Sequence, residues 1–465
     1  VGDVVRPGDY AGLRLNLRDR GDRVRAAAVR LHLRDVDGDV ALIQRLVTLN
    51  PGRDQTVWLY PRLPFTISTG AVLMVTVHAV DGDDPDVPVG RQIGAARISP
   101  RLIVSPATGM IAVIGRQTAG LEQYATRPPG ADHSGTGHEI TQVVSDLRPD
   151  SMPDQWLGLA MFETIVWLDG QPGDLSADAA DAIEEWVHRG GQLIIGFPSA
   201  GQTWTNPRNN PLIDIMPAAT VTRLEEVDLD RYRPMLTQSS QNPLPESAVV
   251  HTFAPAPDAA PQEAIAVLSG PNRAAVAMRR IVGVGMVTLL GIDLADRGLL
   301  GRIDATALWH RLLGRRHDLL SLNEMATLRQ SSQPPDFTSR RPVWMDDFLA
   351  SLINMEGRAG AGLLLALVVF IIYLLLQGPL GFGALRLRNL QQHAWVMFVG
   401  VAGLFTLVAW GGANYLRPLE VDVRHVSFLD HVYGQPVDRT RTWFSALLPT
   451  YGEQTVSLGP VDTPQ

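Results

Sequence analysis

The chain has 465 residues with 40 basic against 48 acidic, a formal net charge of −8, no cysteine, and arginine as its only basic residue apart from histidine. The two missing residue types exclude disulfides, thiolate metal ligands, a cysteine nucleophile, the phosphate-binding lysine of a P-loop and Schiff-base chemistry. With 45 % hydrophobic and 19 % charged residues, it is neither a disordered tail nor a fully embedded transporter, and no basic block marks a nucleic-acid surface.

Room for two to four domains follows from the length, and residues 1–105 read as an N-terminal antiparallel β-sandwich. Leu13, Leu15 and Leu17 alternate with Arg14, Asn16 and Arg18, then Val29, Leu31 and Leu33 with Arg30, His32 and Arg34. That period of two places apolar side chains on one face and polar ones on the other. Strand-like runs at 40–49, 56–60 and 71–80 are separated by turn signals such as Asp37-Gly38, Pro51-Gly52 and Asp81-Gly82. Seven arginines fall between Arg14 and Arg34, offset by Asp19, Asp22 and Asp35. They read as a solvated sheet face.

Residues 106–325 switch to alternating strand and helix. Apolar runs at 110–115, 163–170 and 192–197 read as buried strands, with a weak helix near 139–148. Ser176 caps a helix over 177–189 whose stripe is Ala179, Ile183, Trp186 and Val187, and Gly190-Gly191 ends it. This βαβαβ order argues for a three-layer α/β domain on a parallel sheet with right-handed crossovers. Residues 274–293 read as two strands joined around Gly283 and Gly285, and 304–313, with Trp309, as a closing helix.

A linker and juxtamembrane segment over 326–358 leads to the uncharged runs 359–377 and 394–413. About 20 helical residues cross a ~30 Å hydrocarbon core, so these read as a transmembrane α-hairpin joined by a loop over 378–393. Gly400, Gly403, Gly411 and Gly412 suit close helix packing, while Trp395, Trp410 and Tyr415 fit the interfaces. The loop carries Arg386 and Arg388 and no acid, whereas the outer flanks mix Arg358 and Arg417 with Asp346, Asp347, Glu356 and Glu420. The positive-inside rule puts the loop in the cytoplasm, and 1–358 and 414–465 outside. A start at Val1 fits removal of an export signal. After Tyr415, EVDVRHVSFL and QTVSL begin a partial C-terminal β element with no closing strand before Gln465.

The segment MPDQWLGLAMFETIVWLDG, followed by LSADAADAIEEWVHRGGQLIIG, is similar to the class I glutamine amidotransferase-like domain of large bacterial membrane proteins. Those proteins are often encoded beside MoxR-type ATPases and von Willebrand factor A-domain proteins. RRIVGVGMVTLLGIDLAD, the helix with Trp309, GPLGFGALRLR and VRHVSFLDHVYGQPVDRTRTWFSALLPTYGEQTVSL extend the likeness over roughly residues 106–460. It is a likeness of pattern and domain order, without an invariant motif. It implies a flavodoxin-like periplasmic domain anchored in the inner membrane, joined to other membrane or periplasmic proteins in a complex linked to a MoxR-type ATPase. True amidotransferases of this class set a nucleophilic cysteine, with His and Glu partners, on a strand-to-helix turn. The corresponding turn here is FPSAGQ, in a chain without cysteine, which excludes glutamine hydrolysis by that mechanism.

Four residues are candidates for a ligand-binding crevice. Ser199 lies beyond the strand at 192–197, but G-F-P-S-A-G has one residue too many for a nucleophile elbow, and Pro198 removes a backbone donor. Asp169 and Asp293 end strands, where ligand crevices of open α/β sheets lie, and turn roles for Asp are common. Arg116 follows Gly115 at the end of the first strand and could meet an anion. His133 and His138, with Asp132 and Glu139, match no standard zinc spacing. Arg279 and Arg280 flank a hairpin and either dock a partner or face water. No catalytic residue, metal or cofactor is expected. The reading is a membrane-anchored, non-enzymatic scaffold or interaction subunit of a bacterial cell-envelope complex. The alternatives are a periplasmic hydrolase or ligand-binding sensor using the crevice, and an accessory subunit of an exporter.

Overall fold

A computed structural model describes residues 2–34, 40–64, 67–68, 70–80, 89–104, 108–122, 141–200, 203–237, 243–296, 298–299, 305–314, 352–353, 356–416 and 421–447. The chain is multidomain and divides into two units, Val1–Pro335 with Asp430–Arg439, and Asp336–Leu429 with Thr440–Gln465.

The first unit begins with eight strands: β1 (Val4–Val5), β2 (Leu13–Arg18), β3 (Arg25–Arg34), β4 (Val40–Leu49), β5 (Asp54–Leu59), β6 (Leu73–Ala79), β7 (Gln92–Ile98) and β8 (Leu102–Ile103). An antiparallel sheet runs β4-β3-β6-β7, and β2 pairs antiparallel with β5. Alternate residues of both sheets, among them Leu13, Leu15, Val29, Leu31, Leu59 and Val75, share one apolar core. His32 and Arg34 face solvent, as the period of two requires.

Nine strands follow: β9 (Gly109–Ile114), β10 (Thr141–Leu147), β11 (Thr164–Trp167), β12 (Gln192–Gly196), β13 (Ala219–Val227), β14 (Ala248–Pro255), β15 (Ile265–Ser269), β16 (Ala275–Val282) and β17 (Gly285–Leu290). They form one mixed sheet in the order β10-β9-β11-β12-β17-β16-β14-β13, with β15 paired to β16. The first five of that order are parallel and the rest antiparallel. Both faces of the inner parallel strands β9, β11 and β12 are covered, which is why they read as unbroken apolar runs. On one face Met110, Ile165, Leu193 and Ile195 pack with Ile183, Trp186 and Val187 of helix α1 (Ala177–His188). The short helix α2 (Arg233–Leu236) and helix α3 (Ala305–Leu313) lie on the other face. There Ile111, Val113, Val166 and Ile194 pack with Leu308, Trp309 and Leu312 of α3. Ser176 Oγ accepts the Ala179 N–H at 3.2 Å, the expected cap of α1.

The weak helix expected near 139–148 is instead strand β10. Its β-branched Thr141, Val143 and Val144 align beside β9 in a parallel ladder, and tertiary pairing overrides a marginal helical pattern.

Two cross-links tie the eight-stranded part to the nine-stranded sheet. Arg45 Nη1 and Nη2 donate to the Asp154 carboxylate at 3.0 and 2.6 Å, and the Tyr60 hydroxyl donates to the same carboxylate. Arg6 Nη1 donates to Glu163 Oε1 at 2.6 Å and to the Thr108 carbonyl at 2.8 Å. Burial and the neighbouring Asp154 carboxylate both raise the Tyr60 phenol.

In the second unit, α4 (Glu356–Leu375), a π-helical turn (Leu376–Leu380), α5 (Gly381–Leu387) and α6 (Ala394–Leu416) follow one another. Two stretches, Leu364–Leu387 and Gln391–Gly412, are long and apolar enough to cross a membrane, and neither is buried within the chain. Tyr373 and Phe405 meet edge-on, 5.4 Å apart. The loop expected from residue 378 is helical as far as Leu387. The π turn contains Pro379 and absorbs its missing N–H without ending the helix. The C-terminal strand β18 (Asp422–Asp430) pairs with β19 (Arg439–Leu447). QTVSL lies outside the described residues.

Candidate functional site

Counted along the chain, the parallel strands β9, β10, β11, β12 and β17 stand across the sheet in the order 2-1-3-4-5. The winding reverses between β9 and β11, and in open α/β sheets ligands bind at the carboxyl ends of such a pair. Gly115 follows β9 and Asp169 lies just past β11. At Gly115, where φ is +130°, a Cβ would stand 3.0 Å from the Asp169 Cβ and 3.2 Å from its nitrogen. Only glycine lets the two loops approach so closely.

A crevice of ≈ 560 Å³ opens there, lined by Gly115, Arg116, Asp146, Arg148, Asp150 and Asp169 among others. It adjoins a wider cleft, of ≈ 820 Å³, that shares Arg116, Asp146 and Arg148 and adds Arg14 and Ser151. Beside the crevice β10 carries a bulge. Three steps from Val144 to Leu147 stand against two from Ala112 to Ile114. Asp146 within it has φ +63°, a left-handed conformation that Asp tolerates better than most residues. Its N–H donates to the Gly115 carbonyl at 3.1 Å, and the Gly115 N–H to the Leu147 carbonyl at 3.0 Å.

Of the four expected crevice residues, the structure brings together Arg116 and Asp169. Ser199 and Asp293 are held together elsewhere along the same edge. The Ser199 N–H donates to Asp293 Oδ2 at 2.8 Å, and the Ala295 N–H to Oδ1 at 3.1 Å. Both oxygens of Asp293 thus brace two loops. Among the described residues, no histidine is hydrogen-bonded to Ser199, and no group of three His, Asp or Glu side chains is placed to hold a metal. Asp132, His133, His138 and Glu139 lie outside the described residues.

Arg279 and Arg280 both make hydrogen bonds within the chain. Arg279 donates to Thr288 Oγ1 at 2.9 Å and to the Leu312 carbonyl at 2.7 Å, closing the end of α3. Burial lowers its pKa. Arg280 donates to the carbonyls of Asp214 and Met216 at 2.7 and 2.9 Å. Each guanidinium is an internal strut.

His251, on β14, gave no signal in the sequence. It is 1 % exposed, neither ring nitrogen has a hydrogen-bond partner among the described residues, and its ring lies 5.4 Å from that of Phe197. Burial first, and Arg223 second, push its pKa below the ordinary 6.5, against a weaker pull from Asp293. The unfolded chain therefore binds a proton more readily than the folded one, and stability falls as pH drops below 6.5. Thermal unfolding from pH 7.5 to 5 should show this loss, and His251→Phe should flatten it. An unchanged slope in the variant would refute the assignment.

No family model and no curated protein matches the chain. Among solved structures it is similar to the exo-beta-1,4-mannosidase Op5Man5 from Opitutaceae bacterium strain TAV5, at 15 % identity over 40 % of this chain and 32 % of that one, TM-score 0.23. It is similar also to the cytoplasmic protein STM1381 from Salmonella typhimurium LT2, at 12 % identity over 45 % of this chain and 100 % of that one, TM-score 0.29. A putative thua-like protein from Bacteroides uniformis ATCC 8492 gives 13 % identity over 44 % and 89 %, TM-score 0.25. Scores this low carry no argument about fold or function.

Proposed function

We propose that this chain is a membrane-anchored, non-enzymatic interaction subunit of a bacterial cell-envelope complex. Its transmembrane hairpin sits in the inner membrane with the 378–393 segment on the cytoplasmic side. Residues 1–358 and 414–465 lie outside, where a β-sandwich and a degenerate, flavodoxin-like amidotransferase domain meet membrane or periplasmic partners. The observation that carries the reading is the turn after β12. Ser199 stands there in place of a nucleophilic cysteine, its N–H bound by Asp293, with no cysteine anywhere in the chain. The apolar helices support the anchor. Large side chains such as Leu367, Phe370, Trp395 and Leu407 are more than half exposed, and water does not tolerate a contiguous apolar surface of that kind.

The test is purification of the tagged full chain from its host in mild detergent, with mass spectrometry of what stays bound. Cross-linking must use photoactivated or carboxyl-directed reagents, because a lysine-free chain offers amine reagents no side chain. A stoichiometric membrane or periplasmic partner, or a MoxR-type ATPase, is the expected result. A chain that emerges alone refutes the reading. One observation favours a second reading, a ligand-binding sensor: Arg116 and Asp169 share the crevice at the winding reversal.

A further inference from the structure

We infer that this crevice and the adjoining cleft bind an anionic sugar, its oxyanion held by Arg14, Arg116 and Arg148 and its hydroxyls by the aspartates beside them. The three arginines come from three places: β2, the loop after β9, and the residue just past β10. They line one cleft, and among the described residues neither Arg14 nor Arg116 has a hydrogen-bond or ion-pair partner. Arg148 has only Asp150, at 3.6 Å from its Nε, beyond hydrogen-bonding distance. Arginines elsewhere in the first unit, such as Arg6, Arg45, Arg279 and Arg280, are bonded to carboxylates or carbonyls. Guanidinium groups that line one cleft with so few acceptors among the described residues suit an incoming carboxylate or phosphate, which each can bind with two donors.

The bulge in β10 makes this convergence. One extra residue between Val144 and Leu147 reverses the side-chain alternation beyond it. Asp146, within the bulge, and Arg148, just past it, line the same cleft as Arg116.

The crevice is also lined by carboxylates. Asp146, Asp150, Asp169 and Asp174 line it, and Asp169 accepts the Gly170 N–H on one oxygen at 2.8 Å, the other having no hydrogen-bond partner among the described residues. Carboxylates accept hydrogen bonds from sugar hydroxyls but repel a bare anion. A site lined by both arginines and aspartates therefore suits an oxyanion carried on a polyhydroxyl body. A volume of ≈ 560 Å³ is in the range of small-ligand sites.

The experiment is isothermal titration of the full chain in detergent micelles at low salt, with glucuronate, glucose 6-phosphate, glucose and inorganic phosphate. Glucuronate or glucose 6-phosphate should bind roughly ten-fold or more tightly than either glucose or phosphate. Which of the two binds assigns the oxyanion as carboxylate or phosphate. Arg116→Ala and Arg148→Ala should each weaken that binding roughly ten-fold, the loss of a charge-assisted hydrogen bond. Arg30→Ala, on a different sheet, should leave it unchanged, and all three variants should melt with the parent. Equal binding of glucose and glucuronate, phosphate matching the sugar phosphate, arginine variants that bind like the parent, or no binding at all would each overturn the inference. None of those results bears on the interaction-subunit reading, which rests on partner capture.

Discussion

Asp154→Ala should lower the unfolding free energy of the first unit by about 2–3 kcal/mol, measured by thermal or denaturant unfolding of the full chain in detergent. The carboxylate receives both terminal nitrogens of Arg45, at 3.0 and 2.6 Å, and the Tyr60 hydroxyl, while the Asp154 N–H donates to that hydroxyl oxygen at 3.1 Å. Arg45 is 35 % and Asp154 23 % exposed. The pair thus stands between a surface ion pair, of about 0–1 kcal/mol, and a buried one, whose breakage costs about 3–5 kcal/mol. Gly158 adds to the constraint, since a Cβ there would lie 2.8 Å from the Tyr60 ring. Burial alone would raise the Asp154 carboxyl, but the hydrogen bonds from Arg45 and Tyr60 hold it below its ordinary 3.8. Its contribution is therefore present above that pH and lost on acidification through the lowered value. Tyr60→Phe should cost less, about 1 kcal/mol. A loss under about 0.5 kcal/mol in Asp154→Ala, the range of an ordinary surface substitution, would show that the clasp does not stabilise the fold.

Gly291→Ala should be at least as damaging, by about 3 kcal/mol or more. An alanine Cβ there would stand 1.8 Å from the His251 carbonyl oxygen and 2.8 Å from its carbon. These are backbone atoms, which cannot rotate away. The strand is held from both sides: the His251 N–H donates to the Gly291 carbonyl at 2.7 Å, and the Gly291 N–H to the Val276 carbonyl at 2.8 Å. Relief of the clash would break the junction of β14, β16 and β17. Gly52→Ala is the contrast, because its φ is +67° but nothing lies within 4 Å of the added carbon. Its cost should be about 1 kcal/mol, the conformational penalty alone. Equal melting temperatures for the two variants would refute the steric account.

The parts of the fold that could be read in advance are those where one physical demand dominates. Strands β9, β11 and β12 are buried on both faces and show as IAVI, TIVW and LIIG. The alternation in β2 and β3 and the Ser176 cap were legible for the same reason. Strand β7, with Gly94, Ala95 and Ala96 at its centre, has no side-chain pattern to read. Strand β13 is mostly exposed, so its charges resemble a loop. Pro379 reads as the end of a helix, but the π turn carries the helix on to Leu387. In the candidate site, Arg116 and Asp169 could be found because strand ends mark the crevice. Asp146 and Arg148 could not, since their positions depend on a bulge in a segment that reads as helix. Arg14 belongs to a pattern of outward arginines, and only tertiary structure separates it from the others.

The cleft has a composite origin: Arg14 stands on β2 of the eight-stranded part, and Arg116 and Arg148 just past β9 and β10 of the nine-stranded sheet. The Arg45–Asp154 clasp joins those same two parts. An anion spanning the cleft would therefore favour the joined state, and a loosened clasp would weaken its capture by the same free energy. Reciprocity of this kind is a thermodynamic necessity whenever two contacts share one docking equilibrium. With the proposed anion bound, the junction would respond to occupancy, with no moving lid required.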